Sequence, residues 1–113
     1  MNKPSKELLT VKDAQAKEIS LNYVTLKRAA LTLRAINHPL RKEIFELLNE
    51  KEKMTVTEIH NKLRLEQSVA SQHLAILRKA GFLFTERDGK FIYYRINFQR
   101  LAEVAVLVGQ LAQ

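Results

Sequence analysis

From Pro39 onward the apolar positions recur at helical spacing. Leu40, Ile44, Leu47 and Leu48 fall on one face, with Glu43, Glu46, Glu50 and Lys51 on the other. Pro39 suits the first turn of this helix, where its missing N–H leaves nothing unpaired. Val56, Ile59 and Leu63 form a second stripe behind the run Thr55-Val56-Thr57-Glu58. That run is a capping box, in which the threonine oxygen and the glutamate each satisfy a free backbone N–H. A break at Arg64 and Leu65 leads into a helix from Glu66 to Ala80, and Gly81 supplies the positive φ that ends one. Two helices across so short a turn predict a helix-turn-helix.

The period then changes. Phe82 to Arg87 and Lys90 to Ile96 are rich in aromatic and β-branched residues and flank Asp88-Gly89, a two-residue hairpin signal that predicts a wing. At the other end, Ser5 starts a short helix, weakly periodic through Leu8, Leu9, Val11 and Ile19, and Ser20 caps a stronger one through Val24, Leu31 and Ile36. The tail from Phe98 to Ala112 carries Leu101, Ala105, Val108, Leu111 and Ala112 on one stripe, which Val104, Val106 and Leu107 widen. With only Arg100 and Glu103 charged, this helix needs cover from its own domain and from another surface, so it is read as a dimer helix. The predicted fold class is mostly α with a small β-hairpin wing, a winged helix-turn-helix dimerising through its terminal helices. Its single domain has N-terminal dimerisation helices over 1–36, a scaffold helix over 38–51, the helix-turn-helix over 55–80, the wing over 82–96 and the C-terminal dimer helix over 98–112.

Composition narrows the class. The 113 residues suit one domain, and 46% apolar with 27% charged residues describe a folded chain. No run approaches the roughly 18 apolar residues of a membrane span, and Met1 to Ser20 lacks the apolar core of a signal peptide, so a cytoplasmic, membrane-free protein is expected. The absence of cysteine removes disulfides and thiolate metal sites. The net charge of +7 is unevenly spread: residues 61–100 hold eight Lys or Arg against three acids, and residues 1–60 eleven against eight. The excess lies in the helix-turn-helix and wing, which favours a polyanionic partner.

At 100° per residue, Gln67, Ser68, Ser71, Gln72, Ala75, Arg78 and Lys79 share an arc of about 140°, opposite Val69, Ala70, Leu74, Leu77 and Ala80. One face can pack while the other enters the major groove of double-stranded DNA. Gln and Ser hydrogen-bond base edges, and residues near the helix N-terminus reach bases most easily, so Gln67, Ser68, Ser71 and Gln72 are the expected base readers. Arg78 and Lys79, at the far end, are assigned to phosphates. If the hairpin closes on Asp88-Gly89, Arg87 faces Lys90, a like-charge pair that phosphate would relieve and that water would otherwise screen; a four-residue loop, Glu86 to Gly89, would keep the basic tip. His73 lies about 200° from Ser71, so the two form no nucleophile–base pair. It is expected to be a half-buried structural histidine, bonded to backbone, with a phosphate contact as the alternative. His60 and His38 are read as packing or capping groups.

The run Glu66-Gln67-Ser68-Val69-Ala70-Ser71-Gln72-His73-Leu74-Ala75-Ile76-Leu77-Arg78-Lys79-Ala80-Gly81 resembles that of the ArsR/SmtB-like winged-helix repressors. Asn37-His38-Pro39-Leu40-Arg41 resembles the helix before the family's motif, and Asp88-Gly89 with Tyr93-Tyr94-Arg95 resembles its wing. The similarity spans Leu31 to Asn97. It implies a homodimer that lays two recognition helices into successive major grooves of an inverted repeat and represses by occluding a promoter. The chain departs from the pattern in having Arg64 where the motif turn often has Gly. It also has Glu66 where the recognition-helix cap is often Ser or Thr, and Glu66 either tilts the helix or reads a cytosine amino group. Many relatives bind metal through cysteine pairs or through Asp/His sets on the last helix. This chain has no Cys, and Phe98 to Gln113 has neither His nor Asp, so no metal or other cofactor is expected and any effector is unknown.

The expected function is sequence-specific binding of double-stranded DNA as a homodimeric transcriptional repressor. The alternative from another class is a winged-helix interaction module that holds a heterologous partner on its apolar C-terminal helix. No Gly-rich phosphate loop, paired-histidine motif or nucleophile–base set supports an enzyme.

Overall fold

The computed structural model describes residues 6–113, and the chain divides into two compact units, Met1–Arg34 and Ala35–Gln113. In chain order the elements are β1 (Leu8–Lys12), β2 (Glu18–Asn22), α1 (Tyr23–Ile36), α2 (Pro39–Lys51), α3 (Val56–Leu63), α4 (Gln67–Lys79), β3 (Leu83–Asp88), β4 (Phe91–Ile96) and α5 (Phe98–Leu111).

The first unit departs from expectation. Instead of a short N-terminal helix, β1 and β2 form an antiparallel hairpin that pairs Leu9 with Leu21, Thr10 with Ser20 and Val11 with Ile19. Ser5 itself lies outside the described residues. The period here is two, placing Leu9, Val11, Ile19 and Leu21 on one face. Thr10, Val11 and Ile19 are β-branched and favour extended backbone. Asp13 closes the turn, its Oδ1 accepting from the N–H groups of Gln15 at 2.9 Å and Lys17 at 3.0 Å. Ser20, expected to cap a helix, sits inside β2. Asn22 caps α1 instead, its Oδ1 accepting from Val24 N–H at 2.8 Å and Thr25 N–H at 3.3 Å.

The second unit is a winged helix-turn-helix. Its core draws Ile44, Leu47 and Leu48 from α2, Ile59 from α3, Ala70, Leu74 and Leu77 from α4, and Phe82, Leu83, Ile96 and Val104 from the wing and α5. Phe82, fully buried, meets Phe45 edge-on at 6.1 Å between centroids, while the Arg100 guanidinium lies 5.8 Å over its ring. The capping box ahead of α3 is complete: Glu58 N–H donates to Thr55 Oγ1 at 3.2 Å and Thr55 N–H to Glu58 Oε1 at 3.0 Å.

Helices α3 and α4 end in the same way. At α4, Phe82 N–H reaches back to Leu77 carbonyl and Gly81 N–H to Arg78 carbonyl; at α3, Leu65 N–H reaches His60 carbonyl and Arg64 N–H reaches Asn61 carbonyl. Each is the six-to-one and five-to-two pattern of a Schellman motif, with Gly81 at φ +85° and Arg64 at φ +57° in the left-handed position. The motif turn is therefore an ordinary helix stop with a non-glycine residue in the glycine place. A second non-glycine strain lies after α2, where Glu52 has φ +72° and ψ −54° and Lys53 N–H bonds Lys51 carbonyl, a γ-turn.

The wing register also differs from expectation. Asp88 pairs with Phe91 and Arg87 with Ile92, so Gly89-Lys90 are the loop residues and Arg87 does not face Lys90. Gly89, at φ +63°, takes the first loop position and Lys90 has no positive φ, the pattern of a type II′ rather than a type I′ turn. The shift is two residues in partner, so inward and outward faces are preserved. At the base of the wing Met54 makes a bridge to Tyr94, with Tyr94 N–H to Met54 carbonyl at 2.7 Å and Met54 N–H to Tyr94 carbonyl at 3.3 Å.

Replacing Arg64 with Gly is expected to stabilise the protein by about 0.5–1 kcal/mol, since relief of the left-handed strain exceeds the added chain entropy, and Gly81→Ala to destabilise it by about 1 kcal/mol. Urea unfolding followed by circular dichroism measures both.

Candidate nucleic-acid interface

Helix α4 presents two opposed faces. Ala70, Leu74 and Leu77 are completely buried, whereas Gln67, Ser68, Ser71, Gln72, Ala75, Arg78 and Lys79 are all exposed. The structure thus brings the six polar and basic candidates of this helix together on its open side. Glu66 occupies the N-cap position without a side-chain hydrogen bond, so no side-chain cap satisfies the first N–H groups of α4. Arg87 and Lys90 are exposed at the wing tip, where Arg87 Nε donates to Gly89 carbonyl at 3.2 Å and Lys90 Nζ stands 5.3 Å over the Phe91 ring.

The histidines take structural places. His38 caps α2, its Nδ1 accepting from Leu40 N–H at 3.1 Å, and His60 Nδ1 bonds the Leu65 carbonyl across the motif turn at 3.2 Å. His73 is half-buried, as expected, but its partner is a side chain rather than backbone: Nδ1 lies 3.1 Å from Arg41 Nη1. Among the described residues no three His, Asp or Glu side chains come together to hold a metal ion.

A group that the sequence did not reveal braces the wing. Arg95 Nη1 donates to Glu86 Oε2 at 3.2 Å and Nη2 to Glu52 Oε1 at 3.1 Å, while Lys53 Nζ stands 3.6 Å from Glu86 and 4.9 Å over the Tyr93 ring. The Arg95 hydrogen bond, then the Lys53 charge, hold the Glu86 carboxyl below the usual range. Glu86 and Arg95 become diagonal cross-strand neighbours only in the observed register, so this pair could be found from sequence only by choosing the Gly89-Lys90 turn. Between the start of α3 and β4 lies an open cleft of about 560 Å³ lined by Thr55, Thr57, Glu58, Lys90, Phe91 and Tyr93 among others.

A family profile described as "Bacterial regulatory protein, arsR family" matches residues 38–83. A helix-turn-helix transcriptional regulator of Methanocaldococcus jannaschii is 35% identical over 85 residues, 75% of this chain and 96% of its own length. The chain belongs to the arsR family. Transcriptional repressor PagR of Bacillus anthracis is 34% identical over 89 residues, covering 79% of this chain and 89% of PagR. The PagR crystal structure superposes with a TM-score of 0.61 over 77% of this chain and 99% of PagR. Transcriptional activator HlyU of Vibrio cholerae is 30% identical over 74% of this chain and 77% of its own length. As an arsR-family protein the chain is a DNA-binding transcriptional regulator and not an enzyme. The family match takes in α2, α3 and α4, the elements that frame the exposed arc. No helix among the described residues is long and apolar enough to cross a membrane.

Arg95→Met is expected to raise the Glu86 carboxyl pKa toward its ordinary value by removing the leading cause of its depression. A carboxyl-detected NMR titration of both proteins reads the shift. Stability that depends on the ionised Glu86 is present above the ordinary carboxylate pKa and declines as pH falls through the lowered value, and Arg95→Met should flatten that decline.

Proposed function

We propose that this regulator is a homodimer that recognises an inverted-repeat operator by inserting α4 of each subunit into successive major grooves. The observation that carries the reading is the division of α4, whose inner face is completely buried while the Gln67-to-Lys79 arc is open. Gln67, Ser68, Ser71 and Gln72 occupy the first half of the helix and read base edges; exposed Ala75 lets the helix approach closely. Arg78, Lys79, Arg87 and Lys90 contact phosphates on either side. A two-fold dimer places half-sites about one helical turn, roughly 34 Å, apart.

The second subunit is proposed to cover α5. In that helix Val104 is buried, while Val106, Leu107, Val108 and Leu111 remain exposed, Leu111 by 75%. An apolar surface of this kind is unfavourable in water and suits an interface. Repression by promoter occlusion is the regulatory mode proposed, acting in the cytoplasm where the chromosome is accessible. Of the relatives, PagR is a transcriptional repressor and HlyU a transcriptional activator.

Selection of bound fragments from random duplex DNA, followed by fluorescence anisotropy, tests recognition. A palindromic consensus is expected; equal affinity for all duplexes would sink the specificity claim. Gln72→Ala should weaken operator binding by about 1–3 kcal/mol while leaving unrelated duplexes nearly unchanged. Lys90→Ala should weaken all duplexes alike and reduce the slope of log affinity against log salt by about 1. Sedimentation equilibrium should find a dimer that Leu107→Glu converts to monomer. A wild-type monomer that ignores DNA would instead favour a heterologous partner on α5.

A further inference from the structure

His38, Arg41 and His73 form a cluster away from the proposed DNA face, between α2 and α4. Arg41 is only 7% exposed; its Nε donates to the Ala35 carbonyl and its Nη1 meets His73 Nδ1. The ring of His38 lies 4.8 Å from that of His73, tilted by 58°. A guanidinium can only donate and keeps its charge, so His73 Nδ1 is the acceptor and the imidazole is neutral with its proton on Nε2. An added proton has only Nδ1 to occupy. It would set N–H against N–H and cation against cation at a buried arginine. His60 differs, because its Nδ1 faces a carbonyl and serves as the donor in the neutral and the charged ring alike.

We propose that His73 forms a pH-sensitive latch on Arg41: its protonation in mild acid breaks the Arg41–His73 bond, unseats α4 from α2 and weakens operator binding. The proposal rests on the DNA-binding reading above. His73 flanks the stripe of Ala70, Leu74 and Leu77 on α4, so a change in its seating acts on the packing that orients the exposed arc. The groups facing it are His38 and Arg41 from α2, with the Ala35 carbonyl of α1 engaged by Arg41; among the described residues no carboxylate is a cause of its shift. Burial first, then the charges of His38 and Arg41, hold the His73 pKa below its ordinary value. The unfolded chain therefore takes up the proton first. The stability due to neutral His73 is complete above about pH 6.5 and declines as pH falls toward the lowered value.

Anisotropy with the selected operator and with an unrelated duplex, at constant ionic strength and at about pH 7.5 and about pH 5.5, tests the latch in wild type and His73→Gln. Glutamine Oε1 can accept from Arg41 at either pH. Wild type is expected to lose operator affinity by about threefold in acid, short of the roughly tenfold that an unshifted histidine would allow, while His73→Gln changes by less than about twofold. Equal losses in both proteins, or none in wild type, would overturn the latch while leaving DNA binding intact. Failure of wild type to bind any duplex at the higher pH would instead overturn the DNA-binding reading. Should His73→Gln fail to fold, nitrogen NMR of wild type decides: Nδ1 unprotonated at neutral pH, with amide exchange of α4 rising in acid, supports the latch. A proton on Nδ1 at neutral pH overturns it.

Discussion

The burial of one narrow stripe on α4, formed by Ala70, Leu74 and Leu77, governs what the second unit can present. At 100° per residue the three fall within about 60°, flanked by half-buried Val69 and His73, so α4 seats on the core along one side and leaves the Gln67-to-Lys79 arc in water. Burying a Leu side chain contributes roughly 1.5–3 kcal/mol, so two such residues fix the rotation of the helix about its own axis far more strongly than any surface ion pair could. Rotation of α4 by one residue, about 100°, would bring either Ser71, Ala75 and Arg78 or Val69, His73 and Ile76 to the place of the packed stripe, and neither set offers two leucines. The orientation of the Gln67-to-Lys79 arc is thus a by-product of core packing, and the exposed residues are free to be chosen for their partner.

Around that stripe the chain is stopped and turned by local hydrogen bonds. The repeated Schellman ending brings Leu65 back toward α3 and Phe82 back toward α4. Gly81 accepts its left-handed backbone without strain, whereas Arg64 is held in it by hydrogen bonds back to α3, Leu65 N–H to the His60 carbonyl and the His60 ring to the Leu65 carbonyl. Glu52 is held in a similar way, its strained γ-turn lying between the end of α2 and Met54 while its carboxylate takes a hydrogen bond from Arg95. Strain of order 1–3 kcal/mol at such positions is tolerated where surrounding contacts determine the path of the chain.

What could be read from the sequence was what is local. The Thr55–Glu58 box, the Pro39 start, the Gly81 stop and the split faces of α4 follow from spacings of three and four residues. The N-terminal hairpin was missed because Leu8, Leu9, Val11 and Ile19 fit a weak helical period, while the decisive signal was an Asp13 side chain holding a turn. The wing turn was missed by one position, since glycine with positive φ can stand second in a type I′ loop or first in a type II′ loop. The Arg41–His73 contact joins residues 32 apart, and the Arg95–Glu52 contact residues 43 apart, so neither leaves a periodic trace. The exposed arc itself was legible for a different reason: with the packed positions identified, the opposite face follows from helical geometry.

The Met54–Tyr94 bridge has a mechanical meaning. It clamps the wing where the strands leave the core, together with Arg95 and Lys53, whereas around Gly89 nothing lies within 4 Å of where a side chain would start. The hairpin is therefore anchored at its root, and its tip at Gly89-Lys90, some four residues or about 13 Å further along the strand, stands in open space. The position of the Lys90 charge is thus set from the foot of the strands, by Met54, Lys53 and Arg95, rather than by contacts around the turn that carries it.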